Sequence, residues 1–141
     1  MNTLSTTSKT VRDEVHPELQ ALIDELIKFV DFSVREGYRD AAAQQVAFDT
    51  GLSKARPGQS KHNSIPSRAV HLIPFPAPDP AKALTERFEY TYFAGAVKLM
   101  AKVIGIDICW GGDWNSDWRV GDNRFNDLAH YELVNQEGGV V

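Results

Sequence analysis

In Asp127-Leu128-Ala129-His130-Tyr131-Glu132-Leu133 the residues after Ala129 alternate, which predicts a strand. His130, Glu132 and Val134 would share one face, with Asp127 in the turn just before it. A second alternating stretch, Arg68-Ala69-Val70-His71-Leu72-Ile73-Pro74, puts Ala69, His71 and Ile73 on one strand face and Val70 and Leu72 on the other. Pairing the two strands in one sheet would set His130 beside His71. A third imidazole comes from Ser60-Lys61-His62-Asn63, at the end of a Gly- and Pro-containing loop from Thr50 to Pro66. Loops on a rigid scaffold often carry ligands. Three imidazoles with a carboxylate nearby are the ligand types of a hydrolytic zinc site, which needs three protein ligands and one open position. The ordinary alternative is that these are surface or satisfied core histidines. No HExxH or CxxC pattern is present, so spacing alone leaves both readings open.

Working outward, Pro17 to Val30 reads as an amphipathic helix. Leu19, Leu22, Ile23, Leu26, Ile27 and Val30 recur at three- and four-residue spacing, and Pro17 suits the first turn. His16, just before it, is a helix-start residue and stays outside the site. Asp31 to Gly37 predicts a short strand breaking at the glycine, and Tyr38 to Phe48 a helix. After His71, the prolines at 74, 76, 78 and 80 make a stiff, extended crossing. Pro80 to Ile104 turns helical with a stop at Gly105, and Ile106 to Trp110 is a further strand. Gly111-Gly112 is a turn, and Asp113 to Trp118 is a polar and aromatic loop whose tryptophans would either wall a cleft or cap the core. The class expected is α+β, with a short, mainly antiparallel sheet that carries the metal site and packs against helices.

A chain of 141 residues with 43% hydrophobic and 24% charged residues is expected to be one soluble domain with a real core. The boundaries expected are a flexible lead-in over 1–15, the domain over 16–135 and a tail over 136–141. A net charge of −4 argues against nucleic acid as the main partner, because phosphate binding calls for a basic face. The single cysteine, Cys109, excludes an intramolecular disulfide and a cysteine-based zinc site, and reads as a small buried thiol at a strand. Met1 to Thr10 has no apolar core, so neither a signal peptide nor a membrane span is expected. The protein is expected to be a monomer made in the cytoplasm.

Four blocks in order, Ser60-Lys61-His62, Ala69-Val70-His71, Trp110-Gly111-Gly112-Asp113-Trp114 and Asp127 to Leu133, resemble the M15 zinc peptidases. The chain is most similar to phage endolysins acting as L-alanyl-D-glutamate peptidases, and also resembles the related D-alanyl-D-alanine carboxypeptidases, from about Asp31 to Leu133. The resemblance implies Zn2+ held by His62, His71 and His130, Asp127 as general base, and Arg39 on an oxyanion or a substrate carboxylate. It also implies substrate contacts at Ser60, Trp110, Asp113 and Trp114. The partner implied is the peptidoglycan stem peptide, and the place of action the cell wall of the host after release. At one position the chain departs from the family's pattern, in which an Asp ligand stands where this chain has His71. The loop from Asn63 to Arg68 fits a longer form of an insertion seen in some phage members. A longer, neutral imidazole at that position is expected to bind zinc but to hydrolyse more slowly than a His71→Asp variant. Two further readings follow from the same blocks: a D-alanyl-D-alanine carboxypeptidase, and a catalytically impaired protein that binds zinc or wall peptide.

Overall fold

The computed structural model describes residues 2–134. Helix α1 (Thr6–Arg12) leads into α2 (Pro17–Leu26), β1 (Phe32–Glu36) and α3 (Ala41–Asp49). A 3-10 turn (Lys61–Asn63), β2 (Ala69–Pro74), the long α4 (Ala83–Ile104), β3 (Ile108–Trp110) and β4 (His130–Leu133) follow. The strands form one antiparallel sheet in the order β1-β2-β4-β3. The α+β expectation holds, and no helix among the described residues is long and apolar enough to cross a membrane.

The core follows from the apolar periodicities. Leu19, Leu22, Ile23 and Leu26 of α2 are buried, as are Val70 and Leu72 of β2, Tyr131 and Leu133 of β4, and Phe93, Ala94, Val97 and Ala101 of α4. Strands β2 and β4 thus give alternate residues to the helices and leave the others for the opposite face. His16 caps α2, its Nδ1 accepting from the Glu18 amide at 3.1 Å. Gly105 ends α4 in the left-handed conformation at φ 79°, where a side chain would be strained. Cys109 is buried in β3, and burial pushes its thiol up.

The N-terminal stretch departs from expectation. Residues 6–12, within the stretch read as a loose lead-in, form α1, whose N-cap Ser5 accepts from the Ser8 amide. Ser8 is buried, and its hydroxyl accepts from the Val34 amide of β1 at 3.0 Å, while Val15 enters the core. The tertiary contact supplies what the Ser/Thr-rich sequence lacks as a helix signal. The tail expected over 136–141 lies outside the described residues.

Candidate active site

Strand pairing brings two of the imidazoles together: His71 of β2 is the register partner of His130 of β4. His62 reaches them from the 3-10 turn, which its neighbours hold in place. Ser60 caps the turn by accepting from the His62 amide at 3.1 Å, and Asn63 completes the capping box. Asn63 Nδ2 donates to the Arg39 carbonyl at 2.8 Å, and the Arg39 amide donates to the His62 carbonyl at 2.8 Å. The turn is therefore tied to the start of α3, not left as loop.

The three rings converge on one point. His62 Nε2 lies 3.3 Å from His130 Nδ1, which lies 3.4 Å from His71 Nε2, and one nitrogen from each ring lies within 4.8 Å of the others. A tetrahedral zinc with nitrogens at 2.0–2.1 Å puts its ligands about 3.3 Å apart. The second nitrogens are already committed. His62 Nδ1 donates to the Gly37 carbonyl at 2.6 Å, and His130 Nε2 to Glu132 Oε1 at 2.7 Å. With protons there, neutral His62 and His130 turn lone pairs toward each other, an arrangement that a cation between them relieves. Burial, with His130 and His71 nearby, lowers the pKa of His62 to about 2, so this ring is neutral, as a metal ligand must be. Among the described residues these three histidines could hold a metal ion.

Asp127 sits beside the cluster, its Oδ2 3.6 Å from His71 Nε2 and 3.9 Å from His130 Nδ1. Burial alone would push its carboxyl up. The nearby His71 and His130 rings and the Arg39 guanidinium outweigh burial and hold it below the usual carboxylate range. Its backbone is locked by glycine: the Asp127 amide donates to the Gly111 carbonyl at 2.9 Å, and a Cβ on Gly111 would stand 2.1 Å from the Asp127 oxygen. Arg39 is largely buried, with Nε donating to Glu36 Oε1 and Nη1 to Gln44 Oε1, each at 2.8 Å. The guanidinium is thus held in one orientation at the wall of the cleft.

That cleft, of ≈ 290 Å³, is lined by Arg39, Ser60, His62, Trp114, Asp127 and His130 among others. A second depression of ≈ 560 Å³ shares Arg39 and Asp127 as walls with the first and reaches His71. Trp114 stacks on Phe125 and lies 5.4 Å, ring to ring, from His130. Two expected substrate contacts are not at the cleft. Trp110 is in the core, its indole donating to the Leu128 carbonyl at 2.7 Å. Asp113 is buried beneath the loop, accepting from the Asp117 and Trp118 amides and lying 3.5 Å from Lys98. Both are spent on folding the loop that presents Trp114. Trp118 is exposed away from the cleft, with Lys98 Nζ over its ring at 4.2 Å.

Over residues 1–134 the chain matches the family model of the phage L-alanyl-D-glutamate peptidases. The chain belongs to this family. No curated protein sequence matches it. Among solved structures, this phage-type peptidase is similar to the Serratia marcescens L-Ala D-Glu endopeptidase ChiX, with a TM-score of 0.68 and 28% identity. The likeness covers 93% of this chain and 89% of that one.

The peptidase also uses residues that carried no role in the sequence. Glu132 accepts from His130 and pairs with Lys61 Nζ at 2.9 Å. Burial would raise its pKa, but the bonds from His130 and Lys61 outweigh that and keep it ionised. The signal was present, since Glu132 shares a strand face with His130 two residues away. Fully buried Gln44 ties Arg39 to Ser53 and Ala55, a role no sequence pattern announces.

Proposed function

We propose that the protein is a zinc-dependent endolysin that hydrolyses the L-alanyl-D-glutamate bond of the peptidoglycan stem peptide. The convergence of three ring nitrogens, with the outer nitrogens of His62 and His130 already spoken for, carries this reading. His62, His71 and His130 would hold the zinc. When bound, zinc supplies Lewis acidity toward a carbonyl and acidifies a water in its open position.

The chain's own residues do the rest. Asp127, ionised and near the cluster, takes up a proton from the attacking water and delivers it to the leaving amine. Glu132 keeps the His130 proton on Nε2, which leaves Nδ1 free toward the centre of the cluster. Arg39, oriented by Glu36 and Gln44, faces developing negative charge or a substrate carboxylate. Ser60 acts mainly by capping the turn under His62, and Trp114 forms a wall for the peptide. Two adjoining depressions that share Arg39 and Asp127 suit a chain running across the site, and so favour an endopeptidase over a carboxypeptidase closed around a terminal carboxylate. With His71 as third ligand the centre carries one more unit of positive charge than with Asp, and the imidazole reaches the other two rings.

Digestion of purified stem peptides with product identification by mass tests this reading. Cleavage between L-alanine and D-glutamate is expected; release of a terminal D-alanine alone would make the protein a carboxypeptidase.

A further inference from the structure

Helix α4 turns Phe93, Ala94, Val97 and Ala101 into the core, yet its opposite face is apolar too. Leu84, Phe88, Tyr92, Leu99 and Val103 stand between 63% and 90% exposed, in a row that runs the length of the helix. A helix on the outside of a globular protein ordinarily carries polar residues there. Gly95 interrupts the row between Tyr92 and Leu99, and a Cβ on it would meet nothing within 4 Å, so no contact among the described residues requires glycine. Alongside runs a groove of ≈ 880 Å³ whose walls include Phe75, Pro76, Tyr92 and Leu99.

We propose that this face binds a second copy of the chain, with the two α4 helices antiparallel across a two-fold axis. In such an interface residue i meets j and j meets i, so the surface must complement itself. The row does so. With the axis between Phe93 and Ala94, Leu84 falls opposite Val103, Phe88 opposite Leu99, and Tyr92 opposite Gly95. The most exposed ring thus meets the position without a side chain. In the same register Lys102 falls opposite Thr85, so no like charges are set against each other there.

The area is sufficient. Aromatic side chains carry about 150–250 Å² each, so the exposed rings and aliphatics form a patch above the few hundred Å² that monomers ordinarily show. Two such faces approach the roughly 1,200–2,000 Å² buried by stable complexes. The helix covers the sheet face that carries Val70 and Leu72, away from His71 and His130, so pairing leaves both clefts open. This arrangement differs from the monomer expected from sequence.

Sedimentation of the full chain across a concentration series tests the proposal. We expect a species of twice the 15.7 kDa chain mass. Tyr92→Glu should weaken self-association at least about tenfold while leaving hydrolysis per chain unchanged. A Phe88→Cys, Leu99→Cys double variant should form an intermolecular disulfide on mild oxidation, because each new thiol faces the other across the axis. A single 15.7 kDa species at every concentration would overturn the proposal. So would a dimer insensitive to Tyr92→Glu, or a monomer that spends this face on phosphatidylglycerol vesicles.

Discussion

The two faces of the sheet are built by different rules. On one, Val70, Leu72, Tyr131 and Leu133 pack against α2 and α4 in a continuous apolar core. On the other, His71, His130 and Glu132 are positioned by single contacts from far along the chain: His62 arrives from the 3-10 turn, and Lys61 pairs with Glu132. The apolar face depends on many small, replaceable contacts, whereas the polar face depends on a few specific ones. Substitutions should therefore divide into those that cost stability and those that cost chemistry.

The largest effect is expected at Gly111, where the two costs coincide. A methyl there would stand 2.1 Å from the Asp127 carbonyl oxygen, so Gly111→Ala must push the Asp127 strand end away. Displacement of about 1 Å can cost 10²-fold in rate, and the added strain lowers stability as well. Gly111→Ala is thus expected to lose both, measured as rate on peptidoglycan and as midpoint of thermal unfolding. Normal rate with normal stability would show that the contact does not position the base.

Asp127→Asn should separate chemistry from binding. The amide keeps the shape of the side chain but accepts no proton at neutral pH, so turnover is expected to fall about 10²- to 10⁴-fold with metal content unchanged. If metal is lost along with activity, Asp127 is a ligand or an orienting group.

A smaller loss is expected on removing the charge behind His130. Glu132→Gln weakens the bond that fixes the proton of His130 on Nε2, and such outer contacts are worth about 10- to 100-fold in metal affinity or activity. Zinc affinity by competition with a chelator reads this directly; an unaltered affinity and rate would demote Glu132 to a partner of Lys61 only.

The apolar face should give the opposite result. Leu72 is fully buried, and Leu72→Ala is expected to cost about 2–5 kcal/mol of stability. Rate per folded molecule should stay near the parent's. A large loss of rate in fully folded Leu72→Ala protein would mean that the two faces are coupled.

The same contrast explains what was legible in the sequence. The apolar stripe of α2, the Gly105 stop and the strand alternation that sets His71 beside His130 are periodic or local signals, and each is present in the structure. Helix α1 was not legible because Ser8 gains its value from Val34, far along the chain and on a different element. Trp110 and Asp113 were expected at the cleft because they share with Trp114 the block that carries the family resemblance. Burial separates them from it, since one indole holds Leu128 and one carboxylate caps a loop. Gln44 and Gly111 act through contacts that no spacing encodes, one as a hub of hydrogen bonds and the other by what it leaves empty.

Metal stoichiometry, read together with hydrolysis on the same preparations, tests most directly whether three imidazoles make one centre. The purified protein should carry about one zinc per chain, as a three-ligand set with one open position predicts. His62→Ala, His71→Ala and His130→Ala should each lose that zinc and all cleavage of peptidoglycan while remaining folded. A full equivalent of zinc retained in any of the three, or cleavage by zinc-free protein, would contradict the account.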